Sequence, residues 1–385
     1  MAIMTHTPKS EIEKILNGRQ PSRFVYSPNY WQWFKHHQDH NLLPGEIRHC
    51  KSLLDLYNYL GVDVFSRNVY SDPENYWFGG LCDETTGDFD LITQNSFSGR
   101  DKVTLKEYKS PLGSLHEKLV YIYNESTLVQ NQFLVKNYVQ DFELFEHFVA
   151  NRRWKFNKEK FEEISQLVGD SGIVIAGEFY CPLKMLHLAM DPINSVYFLM
   201  ECPDQARILL EMHEKAQLDC IKQCVENGVK VIMAMDNLDT MFHTPDYVME
   251  YSSSYYQKAS ALCHKYGARF FIHACGHQKE NLELISSYQV DGLEGVAFPP
   301  LGNVTLEEAM QKTHADFIIT GGISAMETRD LKTKKEVFDY VENLFKKLLP
   351  YKNRFIFSSS CNTSIDTSWE TIKHFRDAWL NFRDM

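Results

Sequence analysis

Apolar and polar positions along this chain change rhythm twice. Residues 8–17 place apolar side chains at helical spacing, and "PSRFVYSP" then gives a short run that reads as a strand. "KSLLDLYNYLGVDVFSR" reads as a helix stopped at Gly61 and followed by a second strand. Between about residues 87 and 137 the helical spacing disappears. Thr, Val, Tyr and Phe crowd into short runs separated by turn residues, which predicts an antiparallel β insertion. From residue 140 a regular alternation sets in. Helical patterns cover 141–167, 183–190, 204–227, 245–266, 277–287, 305–313, 334–348 and 366–383. Between them lie the apolar runs "GIVIAG", "VKVIMAM", "RFFIHA", "VDGLEGV", "DFIITGG" and "NRFIFSS".

Strands that alternate with helices pair in parallel through right-handed crossovers. These six units and the two strands before the insertion make eight. The pattern therefore predicts an α/β fold, a (β/α)8 barrel with an N-terminal helical extension. It predicts one domain over 1–385, with the β insertion as an excursion at about 87–137. An open doubly wound sheet is disfavoured, because no G-x-G-x-x-G follows the first strand.

Composition narrows the function. Hydrophobic residues make up 44% and charged residues 24%, as in an ordinary globular protein. The net charge is -11, from 40 basic and 51 acidic residues, which disfavours a nucleic-acid partner. No apolar run is long enough to cross a membrane, and the first residues lack a signal-peptide core. Nine scattered cysteines do not form a secreted disulfide framework. A reducing cytoplasm is the expected home, with cysteines as packing residues, ligands or nucleophiles.

In a barrel, function collects at the C-terminal ends of the strands. The polar residues there are Glu178, Asp236 with Asn237, His273 leading to Cys275, Glu294, Gly321 with Gly322, and Cys361. His273 and Cys275 are two apart, so on an extended strand both face the same way. Cys361 ends a later strand at the same mouth. One imidazole and two thiolates form a zinc set, and three protein ligands leave the open position of a catalytic site. Glu294, or failing that Asp236, is the expected resting fourth ligand. Asp236 is also expected to orient substrate or a ligand, and Glu178 to act as a third catalytic carboxylate. Asn237, Gly321 and Gly322 are expected on the cofactor side of the mouth. Packing offers plainer roles: Cys275 and Cys361 as core thiols, Asp236 as a turn cap, and Cys220 with Cys224 as one buried helix face.

These residues resemble a family. "FFIHACGHQKENLELISSYQVDGLEG" is similar to the H-x-C-G segment of the uroporphyrinogen decarboxylase superfamily, which includes cobalamin-dependent methyltransferases. "VKVIMAMDNLDTMFHTPDYVMEYSSSYYQKASALCHKYG" resembles the preceding unit, and "FPPLGNVTLEEAMQKTHADFIITGGISA" the stretch that ends in the family's Gly-rich loop. "YKSPLGSL" resembles its early hairpin. The resemblance implies a TIM barrel. It also implies that His273, Cys275 and Cys361 match the H-x-C…C zinc pattern of the branch that moves methyl groups between corrinoid proteins and thiols.

The decarboxylase branch has an arginine-rich N-terminal signature that grips porphyrinogen carboxylates. Here "QPSRFVYSPNYWQWFKHHQ" offers only Arg23. The expected activity is therefore zinc-dependent methyl transfer between a corrinoid, carried on a separate protein, and a small-molecule thiol or other heteroatom. The chain has no Asp-x-His-x-x-Gly segment with which to hold a corrinoid itself. Two alternatives remain open at this point: a metal-free lyase of the decarboxylase kind, and a non-catalytic barrel that binds a tetrapyrrole or a partner protein.

Overall fold

A computed structural model describes residues 7–70 and 80–385 of the chain. Eight parallel strands carry the fold: β1 (Val25–Tyr26), β2 (Val64–Ser66), β3 (Gly172–Phe179), β4 (Val231–Ala234), β5 (Arg269–His273), β6 (Gly292–Val296), β7 (Ile318–Ile323) and β8 (Phe355–Ser359). Each of β2 to β8 pairs with its neighbour in sequence except across the β1/β2 seam, where β1 pairs instead with β8. At that seam the Asp63 backbone N–H donates to the Tyr26 carbonyl. The Asp63 carboxylate accepts from Tyr26 N–H and from both terminal nitrogens of Arg23. The architecture is the (β/α)8 barrel that the alternation predicts.

The pleat sorts side chains between two cores. Val25, Phe65, Ile173, Ile175, Val231, Met233, Met235, Phe271, Ile318 and Ile356 fill the barrel interior. Ile12, Ile15 and Leu16 of the first helix (Pro8–Leu16) join that cluster. Residues of the opposite parity, such as Val174, Ile232, Phe270 and Ile319, face the outer helices.

Two details depart from the sequence pattern. The helical stretch 141–167 is broken by a strand, Arg153–Phe156, which pairs with Cys82–Thr85. The stretch 277–287 is helical only from Leu282 to Ser287. The insertion is a four-stranded antiparallel sheet spanning Asp90 to Gln132. It docks on the rim: Tyr123 Oη donates to the Asp39 carbonyl and Gln130 Nε2 to the Leu188 carbonyl. Among the described residues no helix is long and apolar enough to cross a membrane.

Three buried histidines make the fold acid-sensitive. Burial is the first cause in each case: it lowers the pKa of His187 to about 4 and of His213 to about 3, and takes His243 well below its ordinary value. Groups with depressed folded pKa values stay neutral while the unfolded chain takes up protons. Stability is therefore intact above the unfolded value near pH 6.5 and falls as pH drops below it, by about 1.4 kcal/mol per histidine per pH unit. The melting temperature is expected to fall between about pH 7 and about pH 5. An unchanged value would contradict this account of the three imidazoles.

Candidate metal centre at the barrel mouth

His273 ends β5 on the same parity as Phe271, so its ring enters the barrel mouth. Cys275 follows two residues later, and Cys361 lies two residues beyond the end of β8. The ligand atoms of His273, Cys275 and Cys361 all lie within 4.8 Å of one another. His273 is buried, Cys275 half-buried and Cys361 exposed.

The loop that carries Cys361 is fixed from the first βα turn. Thr363 N–H donates to the Asn29 carbonyl, Asn29 Nδ2 to Asn362 Oδ1, and Asn29 N–H to Ser359 Oγ. The aromatic helix Trp31–Asp39 packs behind this loop, and Trp33 Nε1 donates to the Thr367 carbonyl. The stretch 30–34 therefore braces the Cys361 loop at the rim.

Protonation in the site is shared. Burial opposes a charge on His273, but the Glu294 carboxylate and a hydrogen bond with Cys361 outweigh it and raise the imidazole to about 9. Contact with Cys275 comes first in holding the Cys361 thiol well below its ordinary value, and the same contact pushes Cys275 up. Cys275 Sγ donates to Asn237 Oδ1 at 3.4 Å.

Glu294 does not join the three-ligand group. Its carboxylate hydrogen-bonds Nδ1 of His273, which leaves Nε2 for a metal. The expected fourth ligand thus sits one bond further out, where a carboxylate fixes the tautomer and ring orientation of a ligating histidine.

Asp236 is corrected more strongly. It is fully buried on the parity opposite Met233 and Met235, so it points out of the barrel. Its Oδ1 accepts from Cys181 N–H and its Oδ2 from Tyr256 Oη, both at 2.7 Å. Each oxygen has a protein donor, and the carboxylate ties the end of β4 to two outer elements.

Glu178 also leaves the site. Ile232 pairs with Ala176 and Ala234 with Phe179, so Gly177 and Glu178 together oppose Met233 in a bulge. Gly177 takes the inward side, where an added Cβ would meet the Arg67 side chain at 2.5 Å. Glu178 is turned outward, and its carboxylate accepts from Leu81 N–H.

Gly321 and Gly322 lie inside β7 and are buried. A Cβ on Gly321 would stand 2.5 Å from the Val296 carbonyl oxygen. They allow close strand packing and do not line the mouth cavity. Asn237 does line it.

That cavity, about 220 Å3, is bounded by Asn29, Arg67, Lys184, Asn237 and the three ligand residues among others. Sequence reasoning missed Arg67, although it directly follows β2. It also missed Lys184, which sits in the first turn of the helix Pro182–Met190. Burial lowers the Lys184 pKa, against the pull of Asp236.

A family model for uroporphyrinogen decarboxylase (URO-D) matches residues 125–381. The chain belongs to the uroporphyrinogen decarboxylase family. The match begins within the β excursion and takes in strands β3 to β8 of this URO-D chain. No curated protein sequence matches it.

Among solved structures, a methyltransferase from Methanosarcina mazei is similar at 13% identity and a TM-score of 0.59, covering 98% of this chain and 99% of that one. At that identity the likeness is one of fold. A D-psicose 3-epimerase from Clostridium cellulolyticum H10 is similar at 9% identity and a TM-score of 0.35, covering 59% of this chain and 83% of that one.

Proposed function

We propose that this URO-D-family chain is a zinc-dependent methyltransferase that moves a methyl group between a corrinoid on a partner protein and the thiol or other heteroatom of a small substrate. The observation that carries the reading is the convergence of His273, Cys275 and Cys361 on one another beside an open cavity. The donor set fits zinc: one imidazole nitrogen, two sulfurs, and a carboxylate behind the imidazole. Zinc bound there would act as a Lewis acid and bring a substrate thiol into its thiolate form near neutral pH.

The remaining work falls to this chain. Glu294 holds His273 by Nδ1 and orients its ring. Asn237 accepts from the Cys275 thiol and fixes its rotamer. The Asn29 contacts hold Cys361 in register. Lys184 and Arg67 place two cations on the cavity wall, which suits a substrate with an anionic group.

Lys184→Met is expected to raise KM for a carboxylate-bearing thiol by about tenfold or more, with zinc content unchanged. Equal KM values for anionic and neutral thiols in both proteins would remove Lys184 from substrate binding.

Arg23 does not serve a porphyrinogen. Its guanidinium forms two bonds to Asp63 at the barrel seam and lies over the Trp379 ring. The test is spectral: methylcobalamin with a panel of small thiols, then cobalt(I) cobalamin with methyl ethers and methylamines. Zinc-dependent change in either direction is expected. Decarboxylation of a porphyrinogen by metal-free protein, with no cobalamin change, would overturn the reading.

A further inference from the structure

Away from the mouth, three more sulfurs meet. Cys220 and Cys224 lie one turn apart on the long helix Pro203–Glu226, and both are buried. Cys82 opens the strand Cys82–Thr85, which pairs with Arg153–Phe156, and that second strand packs on the same helix. Cys82 Sγ stands 3.5 Å from Cys220 Sγ and 3.8 Å from Cys224 Sγ, and all three sulfurs lie within 4.8 Å of one another. Zinc–sulfur bonds of about 2.3 Å at tetrahedral angles set sulfurs about 3.8 Å apart.

Glu178 lies next to this cluster, outside the three-sulfur group itself. Glu178 has the outward parity of Val174 and Ala176, and one of its oxygens accepts from the backbone of Leu81, the residue before Cys82. Its other oxygen, Oε2, is buried with no hydrogen-bond partner. A buried, half-satisfied carboxylate is costly unless a cation or donor meets it.

We infer that Cys82, Cys220 and Cys224 form a second metal site, separate from the mouth, for a thiophilic divalent ion such as zinc, with the neighbouring Glu178 carboxylate available to turn toward it. Three thiolates away from the barrel mouth, with a carboxylate close by, suit a structural site. On binding, each thiol releases its proton to solvent and no electrons are exchanged.

Cys82 and Glu178 also line a cavity of about 250 Å3, which gives an ion a route in. The consequence is mechanical. The ion would clamp the strand at Cys82 to the helix Pro203–Glu226, and so anchor the start of the β excursion to the barrel wall.

The test is a metal count on four proteins: wild type, Cys220→Ser, Cys361→Ala and the double variant. About two zinc ions per chain are expected in wild type, about one in each single variant, and about none in the double. Equal zinc in wild type and Cys220→Ser would overturn the second site. Equal zinc in wild type and Cys361→Ala would instead overturn the mouth site, so the two failures are distinguishable.

Because Cys220 is fully buried, Cys82→Ser provides a second variant at a half-buried position and should lose the same ion. Cobalt(II) added to metal-free Cys361→Ala should give a thiolate-to-cobalt absorption band and raise the melting temperature. Absence of the band would overturn the proposal even if neither serine variant folds.

Discussion

Cys361→Ala is expected to weaken metal binding at the barrel mouth by about a hundredfold or more and to abolish methyl transfer to a similar degree. The site has three protein donors, and loss of one thiolate leaves an imidazole and a sulfur, too few to hold zinc in an open position. The fold should survive. Cys361 is exposed, and its loop is held by Asn29 on both sides of the substitution. Removal of the sulfur therefore opens no cavity in either core.

Glu294→Gln makes a finer comparison. It keeps the side-chain size but removes the charge behind His273, and a loss of about ten- to a hundredfold in zinc affinity is expected. Equilibrium binding in a metal buffer and thermal melting read both variants. Full zinc affinity in Cys361→Ala, with activity intact, would place the metal elsewhere.

Asp236→Ala is expected to have the opposite signature: a stability loss of about 3 kcal/mol or more, with zinc affinity per folded molecule little changed. The substitution strands the Cys181 N–H and the Tyr256 hydroxyl, both buried, and takes away the bracket between β4 and the helices outside it. Asp236→Asn should fall between, because an amide oxygen can still accept one of the two bonds. Denaturant unfolding checks this. A melting temperature within a few degrees of wild type, joined to lost activity, would restore a direct role for Asp236 in the reaction.

These two residues show what could be read along the chain. The eight strands, the excursion and the mouth triad follow from periodicity and from asking which polar residue ends each strand. His273 obeys that rule because it shares parity with Phe271, an interior residue. Asp236 fails it because Met233 and Met235 face inward and the next residue must face out. The alternation "VIMAMD" contained that answer.

Glu178 fails for the same reason: Ile173 and Ile175 face inward, so Gly177 faces inward and Glu178 out. The break at Arg153 was masked because Phe145, Phe148 and Val149 keep a helical spacing that Ile164 and Val168 resume. Lys184 reaches the mouth only because the helix Pro182–Met190 starts directly above β3. The meeting of Cys82 with Cys220 joins residues far apart in sequence, and spacing carries no trace of it.

The zinc dependence of one spectral change tests the central claim most directly. The protein is mixed with methylcobalamin and a small thiol bearing a carboxylate, and the cobalamin spectrum is followed with native enzyme, after chelation, and after zinc is restored. The account predicts demethylation by native enzyme, its loss on chelation and its recovery with zinc, with no recovery in Cys361→Ala. Demethylation at the same rate by metal-free enzyme, or by Cys361→Ala, would contradict it.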